Sequence, residues 1–251
     1  MAKIINVKGR QVFDSRGNPT VEAEVILQDG SVGTSIVPSG ASTGRYEAHE
    51  LRDKNKDYLN KSVFDAVNNI NNKISKSLIN KNSINQNEID KILINLDGTE
   101  NKSNIGANAI LAVSIANLKA AAKFSKKEIY RYINKETKPI FFTPYPLMNI
   151  INGGAHANNS LEIQEFMIRP DGANSFKECM RMCFLVIQDL KKNLEDKNIS
   201  TSVGDEGGFA PSLGSDEEAI ELIMKSISSS GFKPGKDISI CLDVAANELK
   251  K

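Results

Sequence analysis

The stretch "TVEAEVILQDGSVGTSIVP" (20–38) sets the fold class of the first part of the chain. Its apolar residues alternate with polar ones, which is typical of a strand that buries one face. The apolar positions are Val21, Ala23, Val25 and Leu27. An Asp-Gly turn signal follows at 29–30, and another β-rich run, "IINVKGRQVF" (4–13), precedes the stretch. The pattern predicts a three-stranded antiparallel meander.

Helical patterns follow the meander. Apolar residues recur every three or four positions from 59 to 74, and a shorter apolar face spans 89–96. The stretch "NIGANAILAVSIANLKAAAK" (104–123) is apolar nearly all round and predicts a buried helix. The spacing Ser125-x-x-Glu128 predicts a capping box for one more short helix. Strands first and helices after indicate an α+β domain.

A Pro-rich stretch, "NKETKPIFFTPYP" (134–146), predicts a domain boundary, which we place between 138 and 139. Beyond it, short apolar runs predict three strands: "PLMNIING", "LEIQEFMIRP" and "DISICLDVA". Strands joined by helices favour the start of a β/α barrel or an open α/β sheet. A complete eight-stranded barrel takes ~250 residues. We therefore expect residues 1–138 to form the α+β domain and 139–251 an incomplete TIM-like barrel of about three strands.

Two helices are predicted in this second part. The first runs from Ser175 to about Lys197. Its predicted apolar face consists of Phe176, Met180, Cys183, Phe184, Ile187 and Leu190. The second opens at the capping-box spacing Ser215-x-x-Glu218.

The composition of the chain, its net charge and its cysteine count argue against several classes of protein. Lys+Arg 32 against Asp+Glu 31 gives a net charge of +1, which argues against nucleic acid as a partner. No apolar run approaches the ~20 residues of a membrane span, and the N-terminus lacks the pattern of a signal peptide. Three cysteines form no disulfide framework, so we expect a cytoplasmic protein. Cys179 and Cys183 could form half a metal site, but buried, inert thiols are favoured.

Two Gly-rich polar segments follow predicted strands. The loop "VPSGASTGRYEAHE" (37–50) is either a linker or a lid that closes over a ligand. The segment "INGGAHANN" (151–159) carries His156, which is either a structural hydrogen bonder or a site residue. His49 is expected at the surface.

Two acidic segments complete the set of candidates. Glu165, beside Gln164, lies within an apolar strand, where a charge is costly unless it is paired or used. The "SVGDEGGFAP" segment (202–211) is either a simple turn or a device that holds Glu206 near other carboxylates, so that the pKa of Glu206 rises enough for it to act as an acid.

Asp243 ends the last predicted strand. Ser239, Cys241 and Asp243 share one face, whereas Ile238, Ile240 and Leu242 share the other. If the bulky face packs on helices, Asp243 lies at the barrel mouth, where oxygen ligands suit Mg²⁺. The alternative is that Asp243 only caps the turn that follows.

Taken together, these segments resemble the enolase (phosphopyruvate hydratase) family. The matching stretches run in the family's order along the whole chain: "GRQVFDSRGNPTVE", "VPSGASTGRYEAHELRD", "NGGAHANNSLEIQEFMIRP", "VGDEGGFAP" and "CLDVAANE". The resemblance implies the reversible dehydration of 2-phosphoglycerate to phosphoenolpyruvate in glycolysis, with two Mg²⁺ ions stabilising the enolate intermediate. Stabilisation of such an intermediate by one or two Mg²⁺ ions is the established pattern of the enolase superfamily.

The resemblance also implies a role for individual residues. Asp243 matches a ligand of the first Mg²⁺, and Ser39 matches the lid serine that ligates the second. Glu206 matches the acid that assists departure of the C3 hydroxyl, with Glu165 as its carboxylate partner in the substrate pocket. Other substrate contacts are implied for Gln164 and His156.

Other parts of the family's pattern have no counterpart here, namely the lysine base, two further acidic metal ligands and an Arg-Ser pair with a second lysine. We therefore expect a fragment that is inactive alone, from an enzyme that is a homodimer at full length. The alternative is a non-catalytic remnant or binding module. Reading the genomic DNA beyond codon 251 would separate the two.

Overall fold

The computed structural model describes residues 1–54, 56–134, 140–204 and 206–249. The chain divides into two compact units. The first unit comprises Met1–Gly40 and Tyr46–Pro139, and the second comprises Ala41–Arg45 and Ile140–Lys251. The predicted domain boundary between 138 and 139 falls outside the described residues, so it stays a prediction.

The first unit is built on a three-stranded antiparallel sheet. Strands β1 (Ile4–Phe13), β2 (Pro19–Leu27) and β3 (Val32–Val37) lie in the order β1-β2-β3. The alternating apolar residues of β2, from Val21 to Leu27, are fully buried. The predicted meander is thereby confirmed.

Helices follow the sheet in this unit. They are α1 (Phe64–Asn69), a π-helical turn (Ile70–Ile74), α2 (Ser75–Leu78), α3 (Gln86–Asp97), α4 (Ala107–Phe124) and α5 (Ile129–Ile133). Of these, α1, α2, α4 and the π-helical turn pack on the sheet. The predicted buried helix is α4, which packs on β2 and β3 through its alanines. The approach is so close that a β-carbon on Gly33 would overlap the carbonyl oxygen of Ala116.

Two local predictions in this unit were wrong. Leu59 lies before the helix, with φ of 53° and 82% exposure, because the helix begins at Phe64. Asp53 caps that beginning by accepting hydrogen bonds from the backbone N–H groups of Phe64 and Asp65. Ser125 is the C-terminal cap residue of α4 rather than the start of α5, so no capping box forms there.

The second unit contains a separate three-stranded sheet. Strands β4 (Met148–Asn152), β5 (Glu165–Arg169) and β6 (Ser239–Asp243) lie in the order β4-β5-β6, and both pairs are antiparallel. Between β5 and β6 come helices α6 (Phe176–Asp196) and α7 (Asp216–Ser229). A loop with one 3₁₀ turn (Gly154–His156), and no longer helix, joins β4 to β5. The described residues form part of a barrel and no closed one.

The two helices begin at the N-terminal cap residues that the sequence predicted. Ser175 accepts a hydrogen bond from the Glu178 backbone N–H, and Ser215 accepts one from the Glu218 backbone N–H. The predicted apolar face of α6 was wrong in part, because Phe176, Met180 and Phe184 are 41–59% exposed. The buried face instead consists of Cys179, Met182, Cys183, Val186, Leu190 and Leu194.

Among the described residues, no helix has the length and apolar character needed to cross a bilayer.

Candidate active site

The register of the second sheet aligns three polar residues. Asn152, at the end of β4, pairs with Glu165, at the start of β5, and Glu165 pairs with Asp243, at the end of β6. Residues directly opposite in antiparallel strands have their Cβ atoms ~5 Å apart and on the same face. Because β5 is antiparallel to both β4 and β6, its first residue lies beside the last residues of those two strands. Glu165 was predicted inside the strand, but it occupies the first position.

The loop 202–211 brings Glu206 to the same place. This loop folds back on itself and attaches to β4: the Phe209 N–H donates to the Ile150 carbonyl at 2.9 Å, and the Asn152 N–H donates to the Phe209 carbonyl at 2.8 Å. At its tip, the Gly204 N–H donates to the Gly208 carbonyl at 2.8 Å. Glu206 lies within this tip, and Asp205 lies outside the described residues.

His156 lies between the two glutamates. It ends the 3₁₀ turn Gly154–His156 and is only 6% exposed. Its Nδ1 atom is 3.4 Å from Oε1 of Glu165, and its Nε2 atom is 3.8 Å from Oε1 of Glu206. The imidazole therefore touches a half-buried carboxylate on one side and an exposed one on the other.

This environment raises the pKa of the Glu165 carboxyl group above its ordinary value. Burial is the main cause, and the negative charges of Glu206 and Asp243 act in the same direction, whereas His156 opposes them. A carboxylate whose pKa is raised by burial and by neighbouring negative charges binds a proton or a cation readily.

Two buried polar atoms of the candidate residues have no hydrogen-bond partner among the described residues. They are Nδ1 of His156 and Oε1 of Gln164. The 3.4 Å contact of Nδ1 with Glu165 lacks hydrogen-bond alignment, so we count that atom as unpaired. Buried polar groups are normally satisfied, and exceptions require an explanation. A polar ligand bound between the two glutamates would supply a partner for Nδ1 of His156.

Asp243 is exposed, and one of its oxygens, Oδ1, accepts a hydrogen bond from the Ala245 N–H at 3.0 Å. The capping interaction considered for Asp243 is therefore present together with the register against Glu165. The prediction that the bulky face of β6 is buried is correct only in part. Ile238 is fully buried, but Leu242 is 42% exposed. Ile238 belongs to the core of the second unit and the partly buried Ile240 packs against it, whereas Leu242 lies outside it.

Comparison with known proteins places these observations in a family. Residues 4–133 match the family model "Enolase, N-terminal domain", and residues 140–251 match "Enolase, C-terminal TIM barrel domain". The chain belongs to the enolase family. It is 61% identical to the enolase of Pelagibacter ubique (strain HTCC1062) over 252 residues. That alignment covers 100% of this chain and 60% of the relative, so the chain spans about three fifths of the length of that enolase.

The first unit holds the remaining candidate residue of the enolase pattern, Ser39. Its hydroxyl donates to both oxygens of Glu50, at 2.6 and 2.7 Å, and accepts a hydrogen bond from Nη2 of Arg52 at 2.6 Å. Arg16 donates to the Ser39 carbonyl. The hydroxyl is thus held by a carboxylate and a guanidinium, and its role as a metal ligand stays a prediction.

The donor chemistry of the second unit fits a divalent cation. Ligand atoms of His156, Glu165 and Glu206 lie within 4.8 Å of one another, and Asp243 faces Glu165 in the sheet. The carboxylate oxygens are the ligands that Mg²⁺ prefers, whereas the imidazole nitrogen is a poorer partner for Mg²⁺. The carboxylates, rather than the complete cluster, therefore fit magnesium.

A cleft of about 280 Å³ lies beside the cluster and is lined by Gly154, Ala155, Asn159, Ser160, Leu161, Glu162 and Glu248. None of the three clustered residues lines it, so we locate the candidate active site by the converging charged groups and not by this cleft.

The sequence reasoning missed Asn152. Its side chain is fully buried at the end of β4, and Asn152 pairs directly with Glu165. The available signal was an amide at the end of an apolar run, followed by two glycines, in "NIINGG".

Proposed function

We propose that the chain carries part of the active site of an enolase, which converts 2-phosphoglycerate reversibly to phosphoenolpyruvate and water. The observation that carries this proposal is the convergence of Glu165, Glu206, Asp243 and His156 at one edge of the second sheet. These residues come from four separate stretches of the chain. Family membership agrees with the assignment.

The reaction breaks the C2–H bond and the C3–O bond and forms a C=C bond between these carbons. Glu206 donates the proton with which the C3 hydroxyl leaves as water, and Glu165 faces it as the second carboxylate of the pocket. The family's lysine base, which takes the C2 proton, has no counterpart among these 251 residues. A general acid contributes ~10²–10⁴-fold to such a rate.

His156 and Gln164 supply polar atoms to the substrate. The unpaired Nδ1 atom of His156 lies beside Glu165, and Oε1 of Gln164 is also unpaired. A phosphorylated hydroxy acid offers both donors and acceptors to such atoms. Binding there would satisfy groups that the protein alone leaves unpaired.

Two Mg²⁺ ions belong to the proposal, with Asp243 as a ligand of the first and Ser39 as a ligand of the second. When bound, such ions stabilise the negative charge that develops on the substrate carboxylate. In this structure the Ser39 hydroxyl donates to Glu50 and accepts from Arg52, which leaves one lone pair of the oxygen for a cation. We also propose that the full-length enzyme is cytoplasmic, acts in glycolysis and forms a homodimer.

The test uses the complete gene product and follows phosphoenolpyruvate formation by ultraviolet absorbance. Glu206→Gln removes the proton donor, so we expect kcat to fall ~10²–10⁴-fold. Glu162→Gln, at an exposed position in the same unit, is the matched control and should keep kcat within about twofold. Full activity of the Glu206→Gln variant would contradict the proposed role.

The polypeptide of 251 residues tested alone should show no detectable turnover, because it lacks the family's lysine base and two of its acidic metal ligands. Turnover within about tenfold of a full-length enolase would refute this expectation.

A further inference from the structure

We propose that Asn152 is a positioning residue that fixes Glu206 opposite His156 and Glu165. The catalytic consequence rests on the function proposed above, but the positioning itself concerns only the second unit of this chain. Asn152 is fully buried, whereas Glu206, in the loop that it contacts, is exposed.

The side chain of Asn152 links strand β4 to the loop that carries Glu206. Its Nδ2 atom donates to the Gly208 carbonyl at 2.6 Å, and its Oδ1 atom accepts a hydrogen bond from Nδ2 of Asn149 at 2.5 Å. The Asn152 carbonyl accepts a further bond from Nδ2 of Asn159 at 2.9 Å. Donor and acceptor are both used, so the amide is fixed in one orientation.

Gly208 is the critical partner, because its carbonyl closes the tip that carries Glu206. That one oxygen accepts both the Gly204 N–H, at 2.8 Å, and the Asn152 amide. Without the amide, the tip keeps its internal bond but loses its side-chain link to β4. The loop would still be attached through Phe209, which bonds to the backbone of Ile150 and Asn152, and through the Pro211 carbonyl, which accepts from Nδ2 of Asn159 at 3.0 Å.

The first residue of the tip, Gly204, is tightly enclosed. A β-carbon on Gly204 would lie 2.7 Å from Nδ2 of Asn152 and 2.8 Å from the carbonyl oxygen of His156. Gly204 is therefore held between the amide and the backbone of the residue that contacts Glu206. Moving the amide would change the distance between His156 and Glu206.

An asparagine meets this requirement and an aspartate does not. An aspartate of the same shape has no donor for the Gly208 carbonyl and would place two acceptors against each other. Loss of the hydrogen bond to the Gly208 carbonyl destabilises the closed position of the tip that carries Glu206, so the tip opens more often.

The first test uses the 251-residue chain and a protease that cleaves after glutamate. Asn152→Asp should raise the rate of cleavage after Glu206 by at least about tenfold, because local opening controls proteolysis. Cleavage after Glu195, an exposed residue of α6 in the same unit, should not change and reports on unfolding of that unit.

The control variant is Asn117→Asp. Asn117 is also fully buried and donates from Nδ2 to a backbone carbonyl, that of Ser83, but it lies in the first unit. It should leave cleavage after Glu206 unchanged. If Asn152→Asp does not fold, Asn149→Ala removes only the donor to Oδ1 of Asn152 and should give a smaller increase at Glu206.

The second test is a double-mutant cycle in the complete gene product. Asn152→Asp alone should lower kcat roughly ten- to hundredfold with KM nearly unchanged, since a misplacement of ~1 Å costs about that much. Combined with Glu206→Gln, it should cause no further loss beyond about threefold, because Asn152 acts through Glu206. A purely structural role would leave the two effects multiplicative.

The outcomes separate the two proposals. Unchanged cleavage after Glu206, or multiplicative losses of kcat, would overturn the positioning role. A complete gene product without hydratase activity would overturn the proposed function, while the protease result would still decide whether Asn152 holds Glu206 in place.

Discussion

Asp97 in the first unit and Glu165 in the second are carboxylates with opposite environments. Asp97 is 2% exposed, and it accepts hydrogen bonds from the backbone N–H groups of Thr99, Asn104 and Ile105 and from the Thr99 hydroxyl. Glu165 is half-buried and faces other carboxylates. The first carboxylate is satisfied by its own fold, whereas the second is not.

The pKa values reflect this contrast. Burial acts to raise the pKa of Asp97, but the hydrogen bonds from Thr99 and from the backbone N–H groups outweigh it, so the pKa is lowered. At Glu165, burial and the neighbouring charges raise the pKa. A charged group held by N–H donors stabilises a fold, whereas carboxylates crowded together favour a bound proton or cation.

The largest effect expected from this comparison is on stability. Asp97→Asn replaces an acceptor oxygen by an NH₂ group that faces N–H donors, so it should lower the free energy of unfolding of the first unit by ~2–4 kcal/mol. Glu165→Gln should change that of the second unit by less than ~1 kcal/mol, because it removes like-charge repulsion. Hydrogen exchange in urea, read on peptides from each unit, measures both.

Within this pair, Glu165→Gln is the control for the chemistry of the change, since each variant converts a carboxylate to its amide. Equal losses of stability in the two units would show that Glu165 also supports the fold and would weaken its assignment to a site.

The second prediction concerns pH. The lowered pKa of Asp97 adds stability above the unfolded pKa of ~3.9, and this stability is lost as pH falls through the folded pKa. The gap between wild type and Asp97→Asn should therefore close at acidic pH. The raised pKa of Glu165 has the opposite sign, so wild type should lose stability relative to Glu165→Gln as pH rises above ~4.3.

Urea titrations of each variant from about pH 3 to about pH 7 would check these signs. If both gaps moved in the same direction with pH, the contrast between the two carboxylates would be wrong.

Much of the first unit could be predicted from its sequence. Alternation in 20–38 indicated the meander, because one face of each strand is buried and the turn is local. The buried helix α4 was evident from its alanines. Leu59 was misassigned because apolar spacing continues past the point where Asp53 caps the helix.

The second unit shows the limits of such reasoning. Helix α6 carries apolar residues around most of its surface, so periodicity could not choose between the face with Phe184 and the face with Val186. The candidate site residues were found because each is a polar residue at a strand end or in a Gly-rich loop. Their alignment depends on the antiparallel register of β5, and pairing between distant strands is a tertiary property.

The same Ser-x-x-Glu spacing had different outcomes in the two units, and this gives the smallest predicted effect. Ser215 caps α7 through the Glu218 N–H, whereas Ser125 closes the end of α4 and caps no helix start. Ser215→Ala should therefore lower the stability of the second unit by ~1 kcal/mol, and Ser125→Ala should stay within ~0.5 kcal/mol. Thermal unfolding monitored by hydrogen exchange of α7 peptides measures the first change. A loss at Ser125 equal to that at Ser215 would mean that the spacing itself, and not the hydrogen bond formed, determines the stability of the helix start.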